Sequence, residues 1–551
     1  MAKQKKVMDV VPNKPSKKRK AKSSTTELGE LIFENSKEVE RPMEAPVEIA
    51  EPQEEIKKQP IEEVKKPKKT MKSPLKIIHI LLTLAAAISV GILIFNISRS
   101  NLLPAKFFYP IVAVLIILML IFLRLAFRRK TKAATRVVLS VLSLLCFVVS
   151  LFGNLKLGDT LAFLDQNLNG VSYQTLTYDV LTGADSKYDK AEDLKNTTIT
   201  APPDFSVSED ELKSAVKDQL GADLVFNDNI DDVTNLPLQD SDALILLGDS
   251  IYNSIIETAS DYGEKTKIIA TVKITKRVEK EDDGTDLASK PFLILLSGID
   301  DKHGELPYTS LSDVNIAIAV NPKTAQILLV TIPRDYYVQL HGTTGLKDKL
   351  THAGALGGVQ LSKSTIEDLL GVKFDDYIRV NFGFVVGLVD AIGGITINSD
   401  WNTPITCWTD PSCVIQPGDN FVDGRCALAF SRERMAYNTG DTHRGENQQQ
   451  VIEKIFAKLS SSSTLISRYS EILNSLNGTF ETSVTSDDIS SLVRLQLDSF
   501  PNWKIHSYTL AGTGGMDYTY SYPSQLLYVT YQDAASIAKA HQMIEEVLNG
   551  N

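Results

Sequence analysis

The stretch Pro291-Phe-Leu-Ile-Leu-Leu-Ser-Gly-Ile-Asp300 decides the fold. It is a continuous apolar run ending in a carboxylate, the pattern of a central strand buried on both faces. Two further strand patterns follow. One covers 314–320, directly after Asp313, and one covers 326–332, which delivers Pro333-Arg334-Asp335. Helical spacing returns at 361–370 and 382–392, and Gly393-Gly394 stops the second run before a short strand at 395–397. Residues 427–430 read as a short strand or turn leading into Ser431-Arg432-Glu433-Arg434. A helix is expected over 447–459, with Val451, Ile452, Ile455, Phe456 and Leu459 as its apolar stripe. Strands alternating with helices predict an α/β sandwich on a mixed sheet, with charged residues gathered at strand ends.

Upstream, the 551-residue chain changes character. Residues 1–75 form a lysine-rich tail, as in Lys17-Lys18-Arg19-Lys20, poor in apolar residues and expected to be disordered. Residues 76–155 hold three apolar spans, at 77–97, 107–127 and a shorter 137–152 that extends back to Ala133 and on through Leu155, each able to cross about 30 Å of hydrocarbon, the third with local thinning or interfacial extension. The connection after the second span carries Arg128, Arg129, Lys130, Lys132 and Arg136, whereas the first connection has only Arg99 and Lys106. The positive-inside rule then predicts a multi-pass plasma-membrane protein with a cytoplasmic tail and everything after about residue 155 outside. The exported part divides into a small α/β accessory domain at 156–285 and the larger α/β domain at 286–551, with its motifs between 290 and 460. In the accessory domain a helix is expected over 205–220 with Ser208 as N-cap, and a strand over 267–278. Its sequence offers no catalytic constellation.

A net charge of −10 argues against a general nucleic-acid binder. Of four cysteines, Cys407 and Cys413 bracket a turn and are the pair expected to bridge on export, leaving Cys426 odd. Neither a Gly-x-Ser-x-Gly elbow nor a P-loop occurs.

The chemistry lies in arginines. Arg334 follows a strand end. Arg432 and Arg434 lie two apart and, if extended, point the same way. Arg444 opens a turn into the expected 447–459 helix, whose first turn contains Gln448. Guanidinium groups grip phosphate with a planar, permanently charged fork, and four that converge would hold a diphosphate. Asp300 and Asp313 suit Mg²⁺ beside phosphate; capping or turn formation is the structural alternative. Arg379 is open between an anion contact and an internal ion pair. The run 382–392 is open between pocket wall and core.

These segments together resemble the LytR-CpsA-Psr family. The likeness is carried by Leu-Leu-Ser-Gly-Ile-Asp at 295–300, Ile-Pro-Arg-Asp at 332–335, Lys-Leu-Thr-His-Ala-Gly at 349–354, Phe-Ser-Arg-Glu-Arg at 430–434 and His-Arg-Gly-Glu-Asn-Gln-Gln at 443–449. The three spans and the accessory domain are similar to its streptococcal capsule branch. The resemblance implies a Mg²⁺-dependent phosphotransferase that moves a glycopolymer, capsular polysaccharide or teichoic acid, from an undecaprenyl-pyrophosphate carrier to peptidoglycan. It also implies a pocket for the polyprenyl chain. It assigns Mg²⁺ to Asp300 and Asp313, pyrophosphate to Arg334, Arg432, Arg434, Arg444, Gln448 and Lys349, and catalysis to Arg334, Arg432 and Arg434. Asp335 and Asp441 are candidate bases. Leu311 and Glu446 stand where the family usually carries positive charge. A regulator or scaffold working with the capsule-synthesis machinery, and a polyprenyl pyrophosphatase, are the competing readings.

Overall fold

The computed structural model describes residues 74–550 apart from 129, 169–171, 279–285, 301–305, 438–439, 461–467, 469–470 and 500. The lysine-rich tail, Arg129 and most of the expected linker therefore lie outside the described residues.

Three long apolar helices come first: α1 (Pro74–Ser100), α2 (Ala105–Phe127) and α3 (Ala133–Asn167). All three are long and apolar enough to cross a membrane. The third differs from expectation. The helix starts at Ala133, as far back as the expected extension, but it runs past Leu155 to a total of 35 residues, roughly 52 Å at 1.5 Å per residue. Its apolar part ends near Phe152, but nothing in Gly153–Asn167 breaks the helix, so it continues beyond any bilayer core. Between α1 and α3, Thr83, Ser89, Ser143 and Ser150 form buried hydroxyl contacts, with Ser150 Oγ 2.8 Å from Ser89 Oγ. Small polar side chains of this kind hold helices together in hydrocarbon.

The accessory domain contains β1 (Ser172–Gly183), β2 (Thr198–Ala201), α4 (Glu209–Leu220), β3 (Asp223–Phe226), α5 (Ile230–Gln239), β4 (Ile245–Gly248), α6 (Asp249–Thr258), α7 (Ser260–Lys265) and β5 (Thr266–Val278). Its sheet runs β3-β2-β4-β1-β5. Ser208 caps α4 by accepting the Glu211 amide at 3.3 Å, so the helix starts four residues later than its apolar pattern suggested. The domain leans on the rest of the chain through Tyr522 Oη donating to Ser254 Oγ at 2.9 Å and through the Phe205 and Tyr520 rings.

The larger domain opens with β6 (Phe292–Ile299), β7 (Ser312–Asn321), β8 (Gln326–Thr331), β9 (Tyr337–Val338), β10 (Asp348–Lys349), α8 (Leu350–Leu370), β11 (Asp376–Val380) and α9 (Phe382–Ala391). Then come β12 (Ile395–Ser399), β13 (Ile405–Thr406), β14 (Val414–Ile415), β15 (Gly418–Val422), α10 (Gly424–Arg432) and α11 (Asp441–Leu459). It closes with β16 (Phe480–Thr482), α12 (Ser486–Ser499), β17 (Lys504–Thr509), β18 (Gly512–Tyr518), β19 (Leu526–Gln532) and α13 (Ala534–Asn549). The main sheet has the order β16-β11-β6-β7-β8-β17. Parallel pairs β11–β6 and β17–β8 flank the antiparallel pairs β6–β7 and β7–β8, so the sheet is mixed, as expected.

Strand alternation separates two apolar layers. Leu293, Leu295, Ala317, Ala319, Leu328 and Val330 face one way and pack with α8 and α13. Phe292, Ile294, Ile316, Ile318, Ile327 and Leu329 face the other way and pack with Ile452 of α11 and Ile489 and Leu492 of α12. The result is an α/β/α sandwich.

One end of the apolar helix group touches this sandwich. Lys106 Nζ lies 2.9 Å from Asp498 Oδ1, Arg494 Nη1 donates to Asn101 Oδ1 at 2.7 Å, and Phe163 of α3 stacks on Phe480 at 6.3 Å. Phe480 in turn meets Phe384 of α9. The α1–α2 connection and the C-terminal end of α3 thus lie on the same side as the sandwich.

Candidate active site

Five separate segments deliver the charged groups. The β6 strand ends at Ile299 and hands Asp300 to the sheet's edge, and β7 carries Asp313 near its start. After β8, Pro333 precedes Arg334, whose carbonyl accepts the Thr351 amide of α8 at 2.9 Å. The segment 427–430 is helical rather than a strand: Asp423 accepts the Cys426 amide at 2.8 Å and starts α10. Arg432 is its last residue. Glu433 is extended and turns inward to accept the amides of Trp408, Met435 and Ala436. That buried cap sends Arg432 and Arg434 to the same place without a strand between them.

The second departure is α11, which begins at Asp441 rather than 447. Its first two turns lack the apolar stripe because they face the charged site. Arg444 and Gln448 are four apart, and Val451, Ile452 and Ile455 continue the same face. Gln448 therefore sits in the second turn, and Arg444 occupies the first, where backbone N–H groups favour anions.

Asp300, Asp313, Arg334, Arg432, Arg434, Arg444 and Gln448 all line one cavity of about 290 Å³. Four guanidinium groups against two carboxylates leave two positive charges in excess. Arg334 Nη1 lies 2.6 Å from Asp313 Oδ2, and Thr351 Oγ1 donates to the same carboxylate at 3.2 Å. Arg432 Nη2 lies 3.9 Å from Asp300 Oδ2, and its guanidinium lies over the Phe382 ring at 4.2 Å. Arg434 lies 5.9 Å from the Trp408 ring, and Trp408 Nε1 donates to the Arg432 carbonyl at 3.2 Å. Aromatic faces beneath both arginines orient the forks while leaving their N–H edges to a ligand.

Lys349 is the candidate that the cavity does not gather in. Its ammonium pairs with Asp335, outside the arginine cavity. Burial pushes the Asp335 carboxyl up, but Lys349 and Arg334 outweigh this and hold it below the usual range. Asp335 stays ionised at neutral pH and is a weak base, so its place is to orient Arg334 and Lys349. Arg379 is also resolved: it sits on the opposite face of β11, buried, with Nη1 3.4 Å from Glu481 Oε2. It is a structural ion pair.

The cavity's far side is apolar, lined by Leu296, Val314, Val380, Phe384, Val385 and Ile455. A second cavity, of about 870 Å³, continues along the same sheet face past Ile294, Ile318, Ile378 and Phe456 to Trp503 and α12. On β6 alone, Phe292, Ile294, Leu296, Gly298 and Asp300 line the two in turn. The two cavities together follow roughly 26 Å of this segment at about 3.3 Å per residue, and the pair is called the trough below. Phe382, Phe384 and Val385 of the 382–392 run are pocket wall, whereas Leu388, Val389 and Ile392 are core. Sequence reasoning missed Trp408; its signal was an aromatic in a loop between two cysteines.

The disulfide differs from expectation. Cys413 pairs with Cys426 on α10, with Cα atoms 5.3 Å apart, and Cys407 is free. Burial pushes the Cys407 thiol up to about 12, so it is inert. The turn does bring Cys407 to Cys413, whose carbonyl accepts the Cys407 amide at 3.0 Å, but α10 supplies the bonding partner. The bridge ties the Trp408 loop to the helix that ends in Arg432.

Comparison with known proteins bears on the family. The biofilm regulatory protein A of Streptococcus mutans is 33% identical over 235 residues, covering 41% of this chain and 57% of that protein. An Enterococcus faecalis protein named polyisoprenyl-teichoic acid–peptidoglycan teichoic acid transferase TagU is 34% identical over 233 residues, 42% of this chain and 74% of its own. Among solved structures, protein gbs0355 from Streptococcus agalactiae aligns with 30% identity and a TM-score of 0.41, over 47% of this chain and 88% of that one. The profile of the LytR_cpsA_psr family matches residues 251–537, more than half of the chain, and this chain belongs to that family.

Proposed function

We propose that this protein transfers a glycopolymer from a polyprenyl-diphosphate carrier to peptidoglycan, at the outer face of the membrane. The observation that carries the reading is the succession of two cavities along one sheet face: four arginines line the first, and the second is apolar. A polyprenyl diphosphate has the same two halves. Its diphosphate diester carries two negative charges, matching the excess of two guanidinium groups. Its chain gains about 0.8 kcal/mol per buried CH₂. Capsular polysaccharide and teichoic acid both satisfy this chemistry as the polymer.

In the reaction a sugar hydroxyl of peptidoglycan attacks the sugar-proximal phosphorus and gives its proton to the departing prenyl phosphate. The new P–O bond joins polymer to acceptor, the bond to the bridging oxygen breaks, and polyprenyl phosphate leaves with the electron pair. Arg334, Arg432, Arg434 and Arg444 stabilise the charge that gathers on the bridging and leaving oxygens. Gln448 donates to a phosphate oxygen beside Arg444. Mg²⁺ suits the donor set: two carboxylates, Asp300 and Asp313, reach the same cavity. A cation held by Asp300 and Asp313 would complete its shell with phosphate oxygens and water, and would neutralise diphosphate charge.

The outer location rests on Arg128, Lys130, Lys132 and Arg136 between α2 and α3. Three crossings then put the α1–α2 connection on the sandwich's side, where Lys106 and Asn101 meet α12.

The test is reconstitution of the full chain in vesicles with a polyprenyl-diphosphate oligosaccharide, peptidoglycan and Mg²⁺. The expected product is the oligosaccharide on peptidoglycan through one phosphodiester, with prenyl monophosphate released. Chelating Mg²⁺, or Asp300→Asn with Asp313→Asn, should slow transfer by about a hundredfold or more, since a metal contributes several kcal/mol of charge stabilisation. Free oligosaccharide phosphate without linked product would identify a pyrophosphatase instead. Undiminished transfer under chelation would remove the metal from the account.

A further inference from the structure

A third cavity, about 770 Å³ and polar in lining, adjoins the arginine site. Arg434 lines both, and Asp335, beside Arg334, lines the polar one. Its inner wall includes Glu446, whose Oε2 lies 3.1 Å from His443 Nδ1. Its outer wall is the β18–β19 hairpin.

That hairpin has two unlike faces. Leu527 and Val529 are buried against the domain. The opposite face pairs Gly514 with Thr530, Met516 with Tyr528 and Tyr518 with Leu526. Partners directly opposite each other in an antiparallel ladder share a face, so these six form one continuous surface. Four of them stand open to solvent: Met516 at 55%, Tyr528 at 50%, Leu526 at 48% and Tyr518 at 43%. Large side chains this exposed on one face mark a binding surface. Gly514 has a local reason to be glycine: a Cβ there would come within 2.6 Å of the Tyr528 hydroxyl, because the ring lies across the strand. The tyrosine is thus laid flat beside the cleft.

We propose that the cleft and this hairpin face bind the glycan strand of the acceptor. The inference rests on the transfer reading above. In a displacement at phosphorus the entering and leaving oxygens lie roughly in line. The leaving prenyl phosphate occupies the trough, so the hydroxyl needs a separate entry to the arginines, and the cleft that shares Arg434 supplies one. The surface has the chemistry a sugar needs: flat aromatic rings for the apolar face of a pyranose, with Thr530, Ser507 and Glu446 for its hydroxyls. From Thr530 to Leu526 the platform runs roughly 13 Å outward from the cleft, which suits a polymer that passes over the enzyme.

The experiment uses the full chain in vesicles and measures KM separately for soluble peptidoglycan fragments and for the lipid-linked donor. In Tyr528→Ala, and independently in Leu526→Asp at the far end of the platform, KM for the acceptor should rise about tenfold or more, and KM for the donor should not move. Both residues are exposed, and circular dichroism checks that each variant folds. A rise in donor KM that appears only when the donor carries its oligosaccharide would assign the cleft to the donor's glycan and overturn the proposal. Unchanged acceptor KM in both variants would also overturn it. Absence of linked product from the unaltered protein would instead count against the transfer reading itself.

Discussion

Replacing Arg432 and Arg434 together by alanine should lower transfer by about 10²–10⁴-fold while the protein stays folded. Each charge-assisted contact contributes roughly 1.5–3 kcal/mol, and two lost from one diphosphate correspond to that range of rate. The two act on one ligand, so the double loss need not equal the sum of the single ones. Folding should survive because Arg432 is a third exposed and its guanidinium lies on Phe382 rather than inside the core. Lysine at these positions should restore little. An ammonium neither stacks flat on Phe382 and Trp408 nor offers two parallel N–H groups to a phosphate. Initial rates with saturating acceptor, alongside a thermal melt, check this. A double variant with normal transfer would separate the arginines from the chemistry.

The second large effect falls on stability. Arg379 and Glu481 are directly paired across β11 and β16, and Arg379 is only 2% exposed. Burial pulls the arginine's pKa down, while Glu481 opposes that pull. Tyr377 also donates to Glu481, at 2.8 Å. Glu481→Ala strands a buried guanidinium and removes the tyrosine's acceptor. The expected loss is about 3–5 kcal/mol, or a Tm lower by roughly 10 °C for a domain of this size. The damage should reach the trough, since the neighbouring Phe480 packs on Phe384 in its wall. Replacing both partners by apolar residues, Arg379→Met with Glu481→Leu, should recover most of the loss, because no charge is left buried. A single variant that melts normally would contradict the burial of the pair.

The strands and the arginines were legible in the sequence because each has a local signature. An eight-residue apolar run bounded by Pro291 and ending in Asp300 has the pattern of a buried strand, and β7 and β8 are apolar runs flanked by Asp313 and Arg334. What misled was local too. The α10 helix looked like a strand because Ala427-Leu-Ala-Phe430 is short and its cap, Asp423, lies four residues upstream. The α11 helix seemed to start late because its first turns turn a polar face to the site. A rule that looks for apolar periodicity overlooks a helix whose working face is charged. Lys349 and Arg379 could not be placed from sequence, because their partners, Asp335 and Glu481, come from other segments. The choice of Cys426 over Cys407 as the partner of Cys413 likewise depends on how α10 packs. The accessory domain's docking through Ser254, Phe205 and the segment 520–522 has no sequence signal at all.

The central claim is that one trough holds both halves of a polyprenyl diphosphate. Mass spectrometry of lipid extracted from the purified full chain tests it most directly. A polyprenyl phosphate or diphosphate should accompany the unaltered protein and be largely lost from the Arg432→Ala, Arg434→Ala protein. Bound lipid consisting of glycerophospholipid alone, or polyprenyl lipid retained equally by both proteins, would contradict it.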